Sequence, residues 1–272
     1  LGAPAVAQGR PGSELRKLFT PLDRLLISGG DARLALDPAN GRNAYGCEPA
    51  PTPDVCSFSS STATSISQRA YERAGDARDS LMRSAIAIGL SDAFDLRLEE
   101  MRDELKAHLG LGRTDVEVVF SASGTDSQLL GQFLARSLLG SPMTTVVAAI
   151  DQTGSGTAYT ARGRHFSDRT ASGIRVRKGE PIDGLAESVA SVALPLMNED
   201  GDCRPPAEID AQVLGAVERA VAGGAGVLLQ IMDSSKLGLR APSDECVDEI
   251  STRWPGTVQV VVDACQMRLG RR

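Results

Sequence analysis

The chain has 272 residues, 42% hydrophobic and 24% charged, which is material for one large core or one and a half ordinary ones and shows no bias toward disorder. Its formal net charge of -6 and pI near 5.1 argue against a general binder of nucleic acid or of an acidic membrane, because such proteins need a basic surface to release counterions. No apolar run approaches the ~20 residues of a membrane span, so a cytoplasmic protein is the expectation.

The opening "LGAPAVAQGRPGSE" lacks the basic start and apolar stretch of a signal peptide, and the missing Met implies a processed or incomplete start. Residues 28 to 68 are rich in Gly, Pro, Ser and Asn with little periodicity, which predicts an extended arm or loop layer. Two helices are expected next, over roughly 69 to 89 and 91 to 109, the second capped by Ser91 and stopped at Gly110. "VEVVF" (116 to 120) then reads as a strand, and 126 to 140 as a helix with Leu129, Leu130, Phe133, Leu134 and Leu138 at helical spacing.

From there strands and helices alternate. Strands are expected at "TTVVAAI" (144 to 150), "GIRVRKG" (173 to 179), "SVALPL" (191 to 196), "GVLLQIMD" (226 to 233) and "VQVVVDA" (258 to 264). Helices are expected from Glu208 to the glycines at 223 and 224, and from Ser243 to Trp254. Apolar strands alternating with amphipathic helices predict an α/β fold, a mostly parallel sheet covered on both faces.

The chemistry available to side chains is narrow. The five cysteines are scattered and never form C-x-x-C, and with only His108 and His165 in the chain neither a His-rich metal centre nor a Ser-His-Asp triad is expected. A demanding reaction therefore needs a borrowed cofactor. In a parallel sheet ligands gather at the C-terminal strand ends, which directs attention to four corners.

The turn "SASGTDSQ" feeds a helix N-terminus, where Ser123, Gly124 and Thr125 form a possible phosphate seat or an ordinary capped turn. "DQTGSGTAYTARGRHF" follows the next strand, a loop whose glycines allow close backbone approach or a solvated mobile segment. "DSSKLGLRAPS" places Asp233, Ser234 and Ser235 at a third strand end. In "VVVDACQ" an apolar strand ends in Asp263, a carboxylate costly to bury unless a cation pairs with it, or else a simple turn cap.

Taken in order, "SGTD" opening a helix, "DSSKLGLRAPS", a helix and "VVVDACQ" resemble the large domain of fold-type-I pyridoxal-phosphate enzymes, in the class V aminotransferase and cysteine desulfurase group, over roughly residues 115 to 270. The resemblance implies a three-layer α/β/α large domain at 111–272, following an arm and helices at 1–110, with the small C-terminal domain missing. It implies pyridoxal 5'-phosphate held by Ser123, Gly124 and Thr125, its pyridine nitrogen paired with Asp263 and its phenolic oxygen approached by Gln266. Gln152 or Thr153 stands where that group stacks a His on the ring, and Ser235 where it has an Asn. The group's Schiff-base lysine lies beyond a further strand after the Asp, outside this chain, whose lysines are Lys17, Lys106, Lys178 and Lys236. Implied too are an amino-acid substrate, transamination with carbon-sulfur or carbon-carbon lyase chemistry as the alternative, and a homodimer contacted by the 28–68 arm. A catalytically incomplete binding protein on the same fold is the rival reading.

Overall fold

The computed structural model describes residues 19–28, 32–56, 65–185, 189–235 and 237–264. The chain divides into two compact units, Leu1–Phe120 and Ser121–Arg272.

Helices dominate the described part of the first unit. A short helix α1 (Leu22–Leu26) and a 3-10 turn (Ala32–Leu34) precede two long helices, α2 (Gln68–Ile88) and α3 (Leu90–His108), which pack together. Ser67 caps α2 by accepting the amide of Ala70 at 3.2 Å. Where the sequence pointed to Ser91 as the cap of α3, the cap is Gly89, two residues earlier, and the helix starts on Leu90. That glycine, at φ 92°, ends α2 and begins α3, a conformation that side-chain-bearing residues rarely adopt.

"VEVVF" forms no strand: residues 116–120 carry no regular structure, and Val119 is 65% exposed. The β-branched content of this stretch was read correctly, but a strand also needs a partner edge, and no ladder pairing to it occurs among the described residues. One of its carbonyls, that of Val118, accepts instead from the Arg102 guanidinium at 3.0 Å. Of the 28–68 arm, residues 29–31 and 57–64 lie outside the described set.

A four-stranded, all-parallel sheet organises the second unit. Its strands are β1 (Met143–Ala148), β2 (Val189–Leu194), β3 (Gly226–Met232) and β4 (Val258–Asp263), in the order β2-β1-β3-β4. "GIRVRKG" is not among them. It contributes a single antiparallel bridge, Arg169 to Arg175, because Arg175, Arg177 and Lys178 leave almost nothing apolar to bury.

Helix α4 (Gly124–Leu139) packs against β3 and β4, whereas α6 (Pro206–Ala222) and α7 (Asp244–Arg253) cover the sheet from a separate apolar core; α5 (Thr157–Thr160) is a single turn against α4. Side chains alternate between faces of a strand. Thus Val227, Leu229 and Ile231 join Val146, Ile209, Val213, Val217 and Ile250 in the large core beneath α6 and α7. Leu228 turns to the other side, with Met143, Ala135 and Val261 beneath α4. Pro206 at the first position of α6 is preorganised for the helix and lacks an N–H that would go unsatisfied there. Among the described residues no helix is long and apolar enough to cross a membrane.

The strand order fixes where a ligand crevice can open. From β1 the chain moves to one side, to β2; from β3 it moves to the other, to β4. The C-terminal ends of β1 and β3 therefore flank a topological switch point, the place where open parallel sheets bind ligands.

Candidate functional site

Both non-glycine residues with positive φ among the described residues lie at this edge: Ala149 (57°), directly after β1, and Ser234 (54°), two residues after β3. Left-handed backbone at such residues is uncommon and concentrates where surrounding structure imposes it.

Asp263 ends β4 on the same edge. Its carbonyl accepts the amide of Asp233 at 3.0 Å, which ties the ends of β3 and β4 together. Its carboxylate is half-buried and receives two side-chain amides on one oxygen: Gln128 Nε2 donates to Oδ2 at 3.1 Å and Gln230 Nε2 at 3.4 Å. Gln230 is 4% exposed and points from β3 to the α4 side of the sheet, two residues along from Leu228. Gln128 sits in α4, one turn in from the helix start.

That helix start is the predicted Ser123–Thr125 turn. Ser123 is the cap: its Oγ accepts the amide of Asp126 at 3.2 Å and donates to Asp126 Oδ2 at 2.6 Å. The hydroxyl is thereby engaged within the turn. The amides of Gly124 and Thr125 have no intrahelical acceptor, since the first amides of any helix face outward. These two amides and the Thr125 hydroxyl are the donors that the turn presents to a ligand, beside the positive end of the helix dipole.

The loop after β1 closes on this turn through Gly156. A Cβ at Gly156 would lie 2.6 Å from Thr125 Cγ2 and 3.2 Å from Thr125 Oγ1, so the loop reaches the helix start only because position 156 has no side chain. Immediately beyond, Thr157 and Thr160, each 1% exposed, bind the same glutamine: Gln128 Nε2 donates to Thr157 Oγ1 at 3.1 Å and Gln128 Oε1 accepts from Thr160 Oγ1 at 3.0 Å. Gln128 thus joins α4, the loop after β1 and the end of β4.

Other sequence-nominated residues have local roles. Gln152 ends a 3-10 turn (Ile150–Gln152), and the Thr153 hydroxyl donates to the Ile150 carbonyl at 2.7 Å, so both belong to the loop that follows β1. Asp151 in the same turn holds the loop to the end of β2 by accepting the amides of Leu196 and Met197 at 2.8 and 2.9 Å. Ser235 is buried, and its Oγ accepts the amides of Leu237 and Leu239 at 3.3 and 3.1 Å, closing its own loop. Gln266 lies outside the described residues, as do Lys17 and Lys236. Lys106 is in α3, and the Lys178 ammonium lies 5.0 Å from the centre of the Tyr159 ring.

Sequence reasoning missed Gln128, Gln230, Thr157 and Thr160. A signal was present for one of them: Gln230 is the one polar residue inside "GVLLQIM", whereas Gln128 shares its helix with Gln132, four residues on, and nothing local separates the two. Gln132 points to the sheet as well and exchanges hydrogen bonds with buried Thr145 at 2.8 and 3.1 Å. A seam of polar side chains, Thr145, Gln132, Gln230, Gln128 and Asp263, therefore runs between α4 and the sheet toward the C-terminal edge. Among the cysteines, Cys246 at the start of α7 has its thiol pushed up to about 11, by burial first and then by the Asp210 and Glu249 carboxylates.

Compared with protein-family models, with curated proteins and with solved structures, the chain matches none.

Proposed function

We propose that the second unit binds pyridoxal 5'-phosphate and belongs to an enzyme acting on amino acids, with transamination as the parent reaction and a fold of the type-I pyridoxal-phosphate class. One observation carries this reading: the carboxylate that ends β4 is hydrogen-bonded to a side chain of α4, the helix whose first amides face outward. Gln128, which donates to Asp263 Oδ2 at 3.1 Å, lies about one helical turn, ~5 Å, from Gly124 and Thr125. Anion donors at the start of a helix and a half-buried carboxylate hydrogen-bonded to that same helix suit a ligand with an anionic group at one end and a cationic ring nitrogen at the other.

The residues fit such a group. The amides of Gly124 and Thr125 with the Thr125 hydroxyl would hold the phosphate, and Asp263 would pair with the protonated pyridine nitrogen. Gln152 and Thr153 lie on the loop expected to face the ring. When bound, the cofactor supplies an electron-withdrawing ring that stabilises negative charge at an amino-acid Cα. The protein's part is to hold a negative charge against the nitrogen, so that the ring stays protonated, and to fix the phosphate at the helix terminus.

The test is a titration of the full polypeptide with pyridoxal 5'-phosphate, followed by absorbance, alongside Asp263→Asn. The amide is isosteric and should leave cofactor affinity within a few-fold, while amino-acid turnover falls about ten- to a hundredfold, as removal of a charge-assisted hydrogen bond worth ~1.5 to 3 kcal/mol requires. An intact keto-acid product identifies transamination, and loss of the side-chain carbon or sulfur identifies a lyase. Saturable binding without turnover of any amino acid favours a binding protein, and absence of saturable binding defeats the proposal.

A further inference from the structure

Gln128 has no role in the resemblance, yet its side chain bonds to three others in the cluster, Asp263, Thr157 and Thr160. A carboxamide has two faces that differ chemically, two N–H donors on one and a carbonyl acceptor on the other. The donor face of Gln128 meets Asp263 Oδ2 and Thr157 Oγ1, both at 3.1 Å. Its acceptor face meets the Thr160 hydroxyl at 3.0 Å. A flipped amide would set its carbonyl oxygen against the Asp263 carboxylate, so the charge on Asp263 selects this orientation, and the Thr160 hydroxyl, shared between Gln128 Oε1 at 3.0 Å and the Thr157 carbonyl at 3.1 Å, supports it.

We infer that Gln128, oriented by Thr160, is a positioning residue that fixes the Asp263 carboxylate for the ring nitrogen of the cofactor; this rests on the pyridoxal-phosphate reading. Three features support it. Both neighbouring threonines are buried and Gln128 is half-buried, so the bonds to the threonines are shielded on the loop side. Gln230 converges on the same oxygen at 3.4 Å, which commits Oδ2 to amides and restricts rotation of the carboxylate about its Cβ–Cγ bond. Finally, Thr157 and Thr160 belong to α5, directly after the Gly154–Gly156 loop, so the orientation of Asp263 depends on that loop being seated.

The experiment compares wild type, Asp263→Asn, Gln128→Met and Thr160→Val in the full polypeptide. Gln128→Met keeps length and removes both faces. Thr160→Val keeps shape, removes only the orienting hydroxyl and serves where Gln128→Met fails to fold. The first readout needs no cofactor: the side-chain N–H resonances of Gln128 in the unliganded protein, expected to shift in Asp263→Asn and to broaden or move in Thr160→Val. The second is the pH at which the absorbance of bound pyridoxal 5'-phosphate changes, together with kcat. Both Gln128→Met and Thr160→Val should move that pH in the direction taken by Asp263→Asn and lower kcat roughly tenfold, as loss of a hydrogen bond to a charged group implies. A merely structural Gln128 would lower the melting temperature and leave the pH of the absorbance change in place, which overturns the inference while the cofactor reading stands. Absence of saturable binding to wild type overturns the cofactor reading and this inference with it. Gln128 resonances indifferent to Asp263→Asn refute the inference whatever the cofactor does.

Discussion

Gly156→Ala tests the geometry of the site without reference to any ligand. The backbone at 156 has φ -76° and ψ -26°, open to any L residue, so conformational strain contributes nothing. The whole effect lies in the new methyl, which would sit 2.6 Å from Thr125 Cγ2, 3.2 Å from Thr125 Oγ1 and 3.4 Å from Phe166 Cβ. Carbon pairs rest at ~3.5 to 4.0 Å, so the closest contact overlaps by about 1 Å. Thr125 is β-branched and inside the first turn of α4, where its rotamers are few, so relief requires either an unfavourable χ1 or retreat of the loop. Overpacking of this kind costs about 1 to 3 kcal/mol, and the reduced entropy of the unfolded chain returns about 0.4 to 1 kcal/mol. The net expectation is a loss of about 1 to 2 kcal/mol, or a melting temperature lower by about 3 to 6 °C for a unit of this size.

The partner variant isolates the cause. Thr125→Ser removes the overlapping methyl, so adding Gly156→Ala in that background should cost less by about 1 kcal/mol, measured by urea denaturation as a double-mutant cycle. If Gly156→Ala is as stable as wild type, or is equally damaging with Thr125→Ser, then the loop after β1 is not seated on the start of α4 and the site as described does not exist.

Two further outcomes are expected besides those for Asp263→Asn and Gln128→Met. Thr145→Val should cost about 1 to 3 kcal/mol, because it leaves the buried Gln132 amide without its partner, and adding Gln132→Leu should recover most of the loss in the denaturation midpoint. The Cys246 thiol is held protonated up to about 11 in the folded state against an ordinary value of 9.0, so its contribution to stability is complete below pH 9 and is lost as pH rises toward 11. Urea midpoints between pH 8 and 11 should therefore fall more steeply for wild type than for Cys246→Ala, and a thiol reagent at pH 8 should label exposed Cys56 and Cys203 but reach Cys246 only on unfolding.

How much of this was legible depended on whether a feature is local. The strands β1, β3 and β4 were readable because unbroken runs such as "GVLLQIM" only make sense buried on both faces, and α4, α6 and α7 because their apolar spacing and end signals agree. "VEVVF" and "GIRVRKG" misled for a common reason: β propensity describes the residue, whereas a ladder requires a neighbour at the right distance. Asp263 was legible as a charge at the dry end of a strand. Ser123 was legible as a cap, and Ser235 as a polar residue at a strand end, although their hydroxyls serve their own turns. Gln128 could not be singled out, because its meaning depends on α4 lying over β4 with residue 128 at the level of residue 263, a register set by packing between segments more than a hundred positions apart.

The two faces of the sheet differ in a way that stability alone does not explain. Beneath α6 and α7 the core is built on Val, Leu, Ile, Ala and Met with the buried Cys246 thiol, and Thr144 lies on the same face of β1 as Val146. Beneath α4 apolar contacts are interleaved with Gln132, Thr145, Gln230, Gln128 and Asp263, each satisfied by another member of the seam. Fully paired neutral amides and hydroxyls are close to neutral in free energy, so Gln132 and Thr145 need no further reason. A carboxylate is different, since taking it partly from water is costly, and here Gln128 and Gln230 each place an amide on Oδ2 of Asp263. This carboxylate ends β4 at the C-terminal edge of the sheet, next to the end of β3 that flanks the switch point, and is hydrogen-bonded to Gln128 of the helix whose first amides face outward. On the cofactor reading proposed above, the ring nitrogen would meet this carboxylate and the phosphate the start of α4, and Asp263→Asn separates that role from a purely structural one.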